Sequence, residues 1–244
     1  MPQKTPDPPV QQGDNRPAPA SSRPEIDAFL ARAKSLTPRN MAGQRGRLIF
    51  ALDATMSREP TWNVARRLQI DMFREAAAIG GLDVQLVYYR GFGECGASAW
   101  VGDAERLAGL MEGIDCRGGH TQIGRVLAHA RRESERRRVQ ALVFVGDAME
   151  EALDDLSVAA GELGLLGVPA FMFQEGDDPA AEQAFREIAR LSRGAYCRFD
   201  PGAAQQLAEL LRAAAAYAAG GLKALADPSR RTGPATQKLL RQLS

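Results

Sequence analysis

Histidine and lysine are scarce in this chain, and their scarcity removes whole classes of chemistry. His120 and His129 are the only two histidines, and no lysine falls between Lys34 and Lys223. No H-E-x-x-H pair, no G-x-S-x-G elbow and no G-x-x-x-x-G-K-[ST] loop occurs, so metallopeptidase, serine-hydrolase and P-loop chemistry lack their residues. The three cysteines, Cys95, Cys116 and Cys197, are odd in number and widely spaced, which fits neither a disulfide framework nor a Cys-x-x-Cys zinc site and predicts inert thiols. No uninterrupted apolar run reaches the roughly 18 residues of a membrane span, and the N-terminus lacks the apolar core of a signal peptide. A formal net charge of +1 supplies no overall field to draw nucleic acid or acidic lipid. The expectation is a cytoplasmic protein with neither nucleic-acid nor membrane partners.

What is present suits one sizeable α/β core with tails: 244 residues, 45% of them hydrophobic. Residues 1–21 are rich in proline and poor in anything to bury, and read as a disordered leader. Residues 22–46 open with Ser22-Arg23-Pro24-Glu25, a capping-box pattern, and continue as a helix and linker. From 47 to 220 strand and helix patterns alternate. The predicted strands are 48–53, 84–89, 98–101, 141–145, 168–173 and 195–199. The predicted helices are 60–79, 104–111, 121–138, 151–166, 179–191 and 201–219. Such alternation implies a doubly wound, mostly parallel six-stranded sheet with helices on both faces and one antiparallel hairpin strand. The hairpin carries Gly91-Phe92-Gly93-Glu94-Cys95-Gly96, which spells G-x-G-x-x-G; no helix follows it, so it reads as turn glycine rather than a dinucleotide site. Residues 221–244 form a basic tail.

The chemistry concentrates in Asp53-Ala54-Thr55-Met56-Ser57, which follows the apolar run Leu48-Ile49-Phe50. One carboxylate and two hydroxyls in five residues are hard oxygen ligands suited to Mg²⁺ or Mn²⁺. Ser57 before Glu59 and Pro60 also has the pattern of an ordinary helix cap. Two distant segments join it: Gly118-Gly119-His120-Thr121 at the head of a helical pattern, and Gly146-Asp147 at the end of the apolar run 141–145. Together these segments resemble the von Willebrand factor A (VWA) domain with its metal-ion-dependent adhesion site, of the intracellular bacterial type. The resemblance implies a VWA/Rossmann-like fold over 47–220, with Mg²⁺ or Mn²⁺ held by Asp53, Thr55, Ser57, Thr121 and Asp147, and with His120 and Glu150 on the partner-binding rim. It also implies a binding module rather than an enzyme, in which the metal bridges to an Asp or Glu of a protein partner, an AAA+ ATPase or larger assembly by analogy. In a doubly wound sheet the strand ends beside the reversal of strand order face one crevice, and two carboxylates brought there repel without a cation.

Two alternatives carry different chemistry. Asp53 at the end of a first strand is also similar to the nucleophile of haloacid-dehalogenase-like Mg²⁺ phosphohydrolases, but Thr55 stands where that family has a second Asp, and the later Lys is absent. A metal-free VWA scaffold is the other. The run Arg131-Arg132-Glu133-Ser134-Glu135-Arg136-Arg137-Arg138 interleaves both signs at a helix end and reads as a solvated, dipole-compensating terminus.

Overall fold

The computed structural model describes residues 45–60 and 82–199, with Pro24, Asp27, Ala28, Trp62, Ile70 and Ala218 as isolated positions. The leader, the 22–46 helix, the helices expected at 60–79 and 201–219 and the basic tail lie essentially outside the described residues.

The strands are β1 (Gly46–Asp53), β2 (Leu82–Arg90), β3 (Glu94–Ala97), β4 (Ala141–Gly146), β5 (Ala170–Glu175) and β6 (Ala195–Phe199), in the spatial order β3-β2-β1-β4-β5-β6. All pairings are parallel except β2 with β3. The strand order reverses between β1 and β4, which places the C-terminal ends of those two strands side by side. This is the expected doubly wound, mixed six-stranded α/β sheet.

Central strands are apolar on both sides because both faces are covered. Every residue of β1, β4 and β5 is buried. The period-two alternation divides β1 between two cores: Leu48, Phe50 and Leu52 pack with Val143, Val145, Phe171 and Phe173, whereas Ile49 and Ala51 pack with Val87, Leu142, Phe144 and Met172. Helix α1 (Ala104–Glu112) adds Leu107 and Met111 to the first core. Helices α2 (Ile123–Arg136), α3 (Leu153–Leu166) and α4 (Pro179–Leu191) cover the second. Their ends follow local chemistry. Asp103 and Asp178 cap α1 and α4 by accepting from Arg106 N and Ala181 N, Pro179 opens α4, and Gly167 closes α3 in the left-handed region at φ 69°.

The hairpin strand lies elsewhere than expected. It begins at Glu94, inside the glycine-rich motif, and only residues 91–93 turn. Gly96 belongs to the strand because the Tyr88 ring lies over it, where a Cβ would come within 2.8 Å of the ring. The stretch 98–101 follows β2 only irregularly. Leu86 N donates to the Ser98 hydroxyl, and pairing resumes at the Val84–Val101 bridge.

Candidate functional site

Asp53 ends β1 wholly buried. Its Oδ1 accepts from Thr55 N at 2.8 Å and its Oδ2 from the Tyr89 hydroxyl at 2.8 Å. Parallel pairing of β1 with β2 sets Asp53 beside Tyr89, so the strand register itself delivers that donor. Burial raises the Asp53 pKa above the ordinary aspartate value; hydrogen bonding by Thr55 opposes this, and the charge of Asp147 adds to it. Burial likewise holds the Tyr89 phenol well above its usual range, with the negative charge of Asp53 reinforcing the effect, so Tyr89 remains a donor. The Thr55 and Ser57 hydroxyls lie 3.0 Å apart, Thr55 buried and Ser57 exposed.

Asp147 follows β4 directly. A Cβ on Gly146 would lie 2.8 Å from the Phe144 ring and 3.4 Å from the Asp53 Cβ, so the glycine lets the end of β4 close on Asp53 and brings the next carboxylate to the same crevice. Asp147 Oδ1 is buried and accepts no hydrogen bond among the described residues. Neither carboxylate meets an arginine or lysine within ion-pair distance among those residues. A buried carboxylate oxygen without a donor is costly, and a cation relieves that cost.

The third segment is held by an acidic clamp. Thr121 N donates to Glu150 Oε2, and Glu150 N donates back to Thr121 Oγ1, both at 3.0 Å. Glu151 accepts from Ile123 N and Gly124 N, placing a carboxylate on the positive end of α2. His120 Nδ1 lies 3.1 Å from Glu150 Oε2, and its ring meets that of Phe92 edge-on at 5.3 Å. Gly119 permits this approach, since a Cβ there would fall 2.0 Å from the Gly91 carbonyl. Gln122 Nε2 bonds the carbonyls of Arg90 and Gly91, tying the hairpin turn to the loop before α2.

The structure therefore sets Asp53 and Asp147 on one crevice, pairs Thr55 with Ser57 on its first loop, and ties Thr121, His120 and Glu150 together beside it. Among the described residues no group of three or more His, Cys, Asp or Glu side chains is placed to hold a metal ion, so a cation here would have to draw on the two carboxylates and the neighbouring hydroxyls. Two carboxylates with neutral hydroxyls fit a hard divalent ion such as Mg²⁺ or Mn²⁺. Sequence reasoning missed three residues. Tyr89 reads as core until the β1–β2 register is known, Glu151 shows its role only once α2 is placed, and Arg58 looks like surface. Arg58 is buried and pairs with Glu175 at 2.6 Å, joining the loop after β1 to the end of β5. Burial pushes the Cys116 thiol up to about 11 and raises that of Cys95, which disfavours the thiolate at both.

No family model and no curated protein matches the chain. Solved structures do. The SpRpn10 VWA domain aligns over 68% of this chain and 94% of its own, with a TM-score of 0.56 at 15% identity. A von Willebrand factor type A protein from Catenulispora acidiphila aligns over 71% of this chain with a TM-score of 0.55 at 17% identity, and proximal thread matrix protein 1 from the mussel byssus over 70% with 0.57 at 15%. The chain spans 43% and 46% of the length of the latter two. These likenesses show the fold: the chain folds as VWA domains do.

Proposed function

We propose that this chain is a metal-dependent protein-binding module, in which Mg²⁺ or Mn²⁺ held by Asp53, Thr55, Ser57, Thr121 and Asp147 bridges to an Asp or Glu of a partner protein. The observation that carries the reading is Asp147 Oδ1, buried without a donor among the described residues, near the buried carboxylate of Asp53. The two carboxylates offset the charge of a divalent ion, while the hydroxyls leave coordination positions for water or a partner's carboxylate. The VWA-type fold supports an interaction role in general. Beside the crevice, Met56 is 48% exposed and Phe92 84% exposed, offering apolar contact around a charged centre. The proposed partners are proteins presenting an acidic side chain, an AAA+ ATPase assembly among them, and the proposed role involves no turnover.

The test is capture of partners on the immobilised full chain in Mg²⁺, in chelator, and with Asp53→Ala. The reading predicts a partner retained only by the wild type in Mg²⁺, and lost when that partner's contacting Asp or Glu is changed to its amide. A partner held equally in all three conditions would place recognition on another face.

A further inference from the structure

A second surface lies on the far edge of the sheet, away from the crevice. Among the described residues β3 pairs only with β2, so within them one side of its backbone is open. The register settles which groups point outward. Ser98 N donates to Leu86 O, which makes 86 and 98 a hydrogen-bonded pair; in an antiparallel ladder the bonded pairs recur every second residue, at Gly96 and Glu94. Cys95 and Ala97 therefore turn their N–H and C=O away from the sheet. Their side chains share the face covered by α2.

On that face a cleft of about 280 Å³ lies between β3 and α2. Val87, Cys95 and Ala97 line it from the sheet, and Arg125, His129 and Arg132 line it from the helix at spacings that share one helical stripe. Among the described residues no acidic side chain lines it. Arg125 is anchored at the hairpin end by donating to Gly93 O and Gln122 Oε1. Arg132 is exposed, and among the described residues it makes no ion pair or hydrogen bond. His129 is fixed by Nε2, which donates to Gln85 Oε1 because the Gln85 amide nitrogen already donates to Ser98 O.

We propose that the open edge of β3 takes an extended acidic peptide of a partner protein as an added strand, with Asp or Glu at alternate positions reaching Arg125 and Arg132. Backbone pairing to Cys95 and Ala97 holds such a strand, and the period of two sends every second side chain into the cationic cleft. Charge complementarity selects this occupant. A second copy of the chain brings Cys95 and Ala97 to the same face and no acid, and the tail bearing Lys223, Arg230, Arg231, Lys238 and Arg241 has the wrong sign. The site is separate from the metal crevice and does not depend on it.

The probe is a fluorescein-labelled peptide alternating Val and Glu, titrated with the full chain at low salt in chelator and followed by anisotropy. Binding is expected, with a loss of roughly tenfold or more in Arg132→Glu and a smaller loss in Arg132→Gln, both variants melting as the wild type does. Methylating one alternating set of peptide amide nitrogens abolishes binding, and methylating the other set does not. The proposal is overturned by no binding up to millimolar protein, by binding unchanged in both Arg132 variants, by equal effects of the two methylated sets, or by complete competition from free glutamate or inorganic phosphate.

Discussion

At the scale of single residues, Asp53 couples the crevice to pH. Its carboxyl is buried, and its pKa in the folded chain stands above that of the unfolded chain. The folded state therefore binds this proton more tightly. The stability it contributes is fully present below the unfolded value and is lost as pH rises through the folded one. In chelator, the wild type should lose stability relative to Asp53→Asn as pH rises from acid toward neutral, a difference visible in paired denaturant titrations. Mg²⁺ should diminish the difference and, at saturation, reverse it, because a cation that favours the ionised form lowers the folded pKa of Asp53. Asp53 and Asp147 were legible in the sequence, since an Asp directly after an apolar run marks the carboxyl end of a strand. Tyr89 was not, because its role depends on which residue of β1 stands beside it.

Among the elements, the N-terminus of α2 is built from outside. Gln122 provides no side-chain cap, and the donors at Ile123 and Gly124 are met by Glu151 from the loop after β4. Replacing Glu151 with Ala should cost about 1–2 kcal/mol, read as a fall in the urea midpoint with the slope unchanged. It should also weaken metal binding, as the loop carrying Asp147 and the loop carrying Thr121 lose a link. The same external support explains why the sequence placed the start of this helix at 121, two residues early: the pattern of apolar residues was visible, but a cap supplied from 28 residues away was not. The β3 hairpin was misplaced for a related reason. Glycine at 96 signals a turn locally, whereas here it is required by the ring of Tyr88 across the pair.

For the molecule as a whole, the alternation of strand and helix carried the architecture, because strands covered on both faces leave continuous apolar runs that are hard to mistake. Long-range polar links were not readable. The buried Arg58–Glu175 pair fastens the loop after β1 to β5. Arg58→Met alone should destabilise the chain by about 3–5 kcal/mol by stranding a buried carboxylate, and adding Glu175→Leu should restore most of the loss. Thermal melts of the single and double variants check this.

The central claim, that the crevice between β1 and β4 holds a divalent cation, is tested most directly by titrating Mn²⁺ or Mg²⁺ calorimetrically into the metal-stripped full chain, with a melt at each point. The account predicts one site per chain, stabilisation of about 1.4 kcal/mol at ten times the dissociation constant, a rise of about 3–6 °C, and loss of both signals in Asp53→Ala. No heat of binding together with identical melts in metal and in chelator would contradict it.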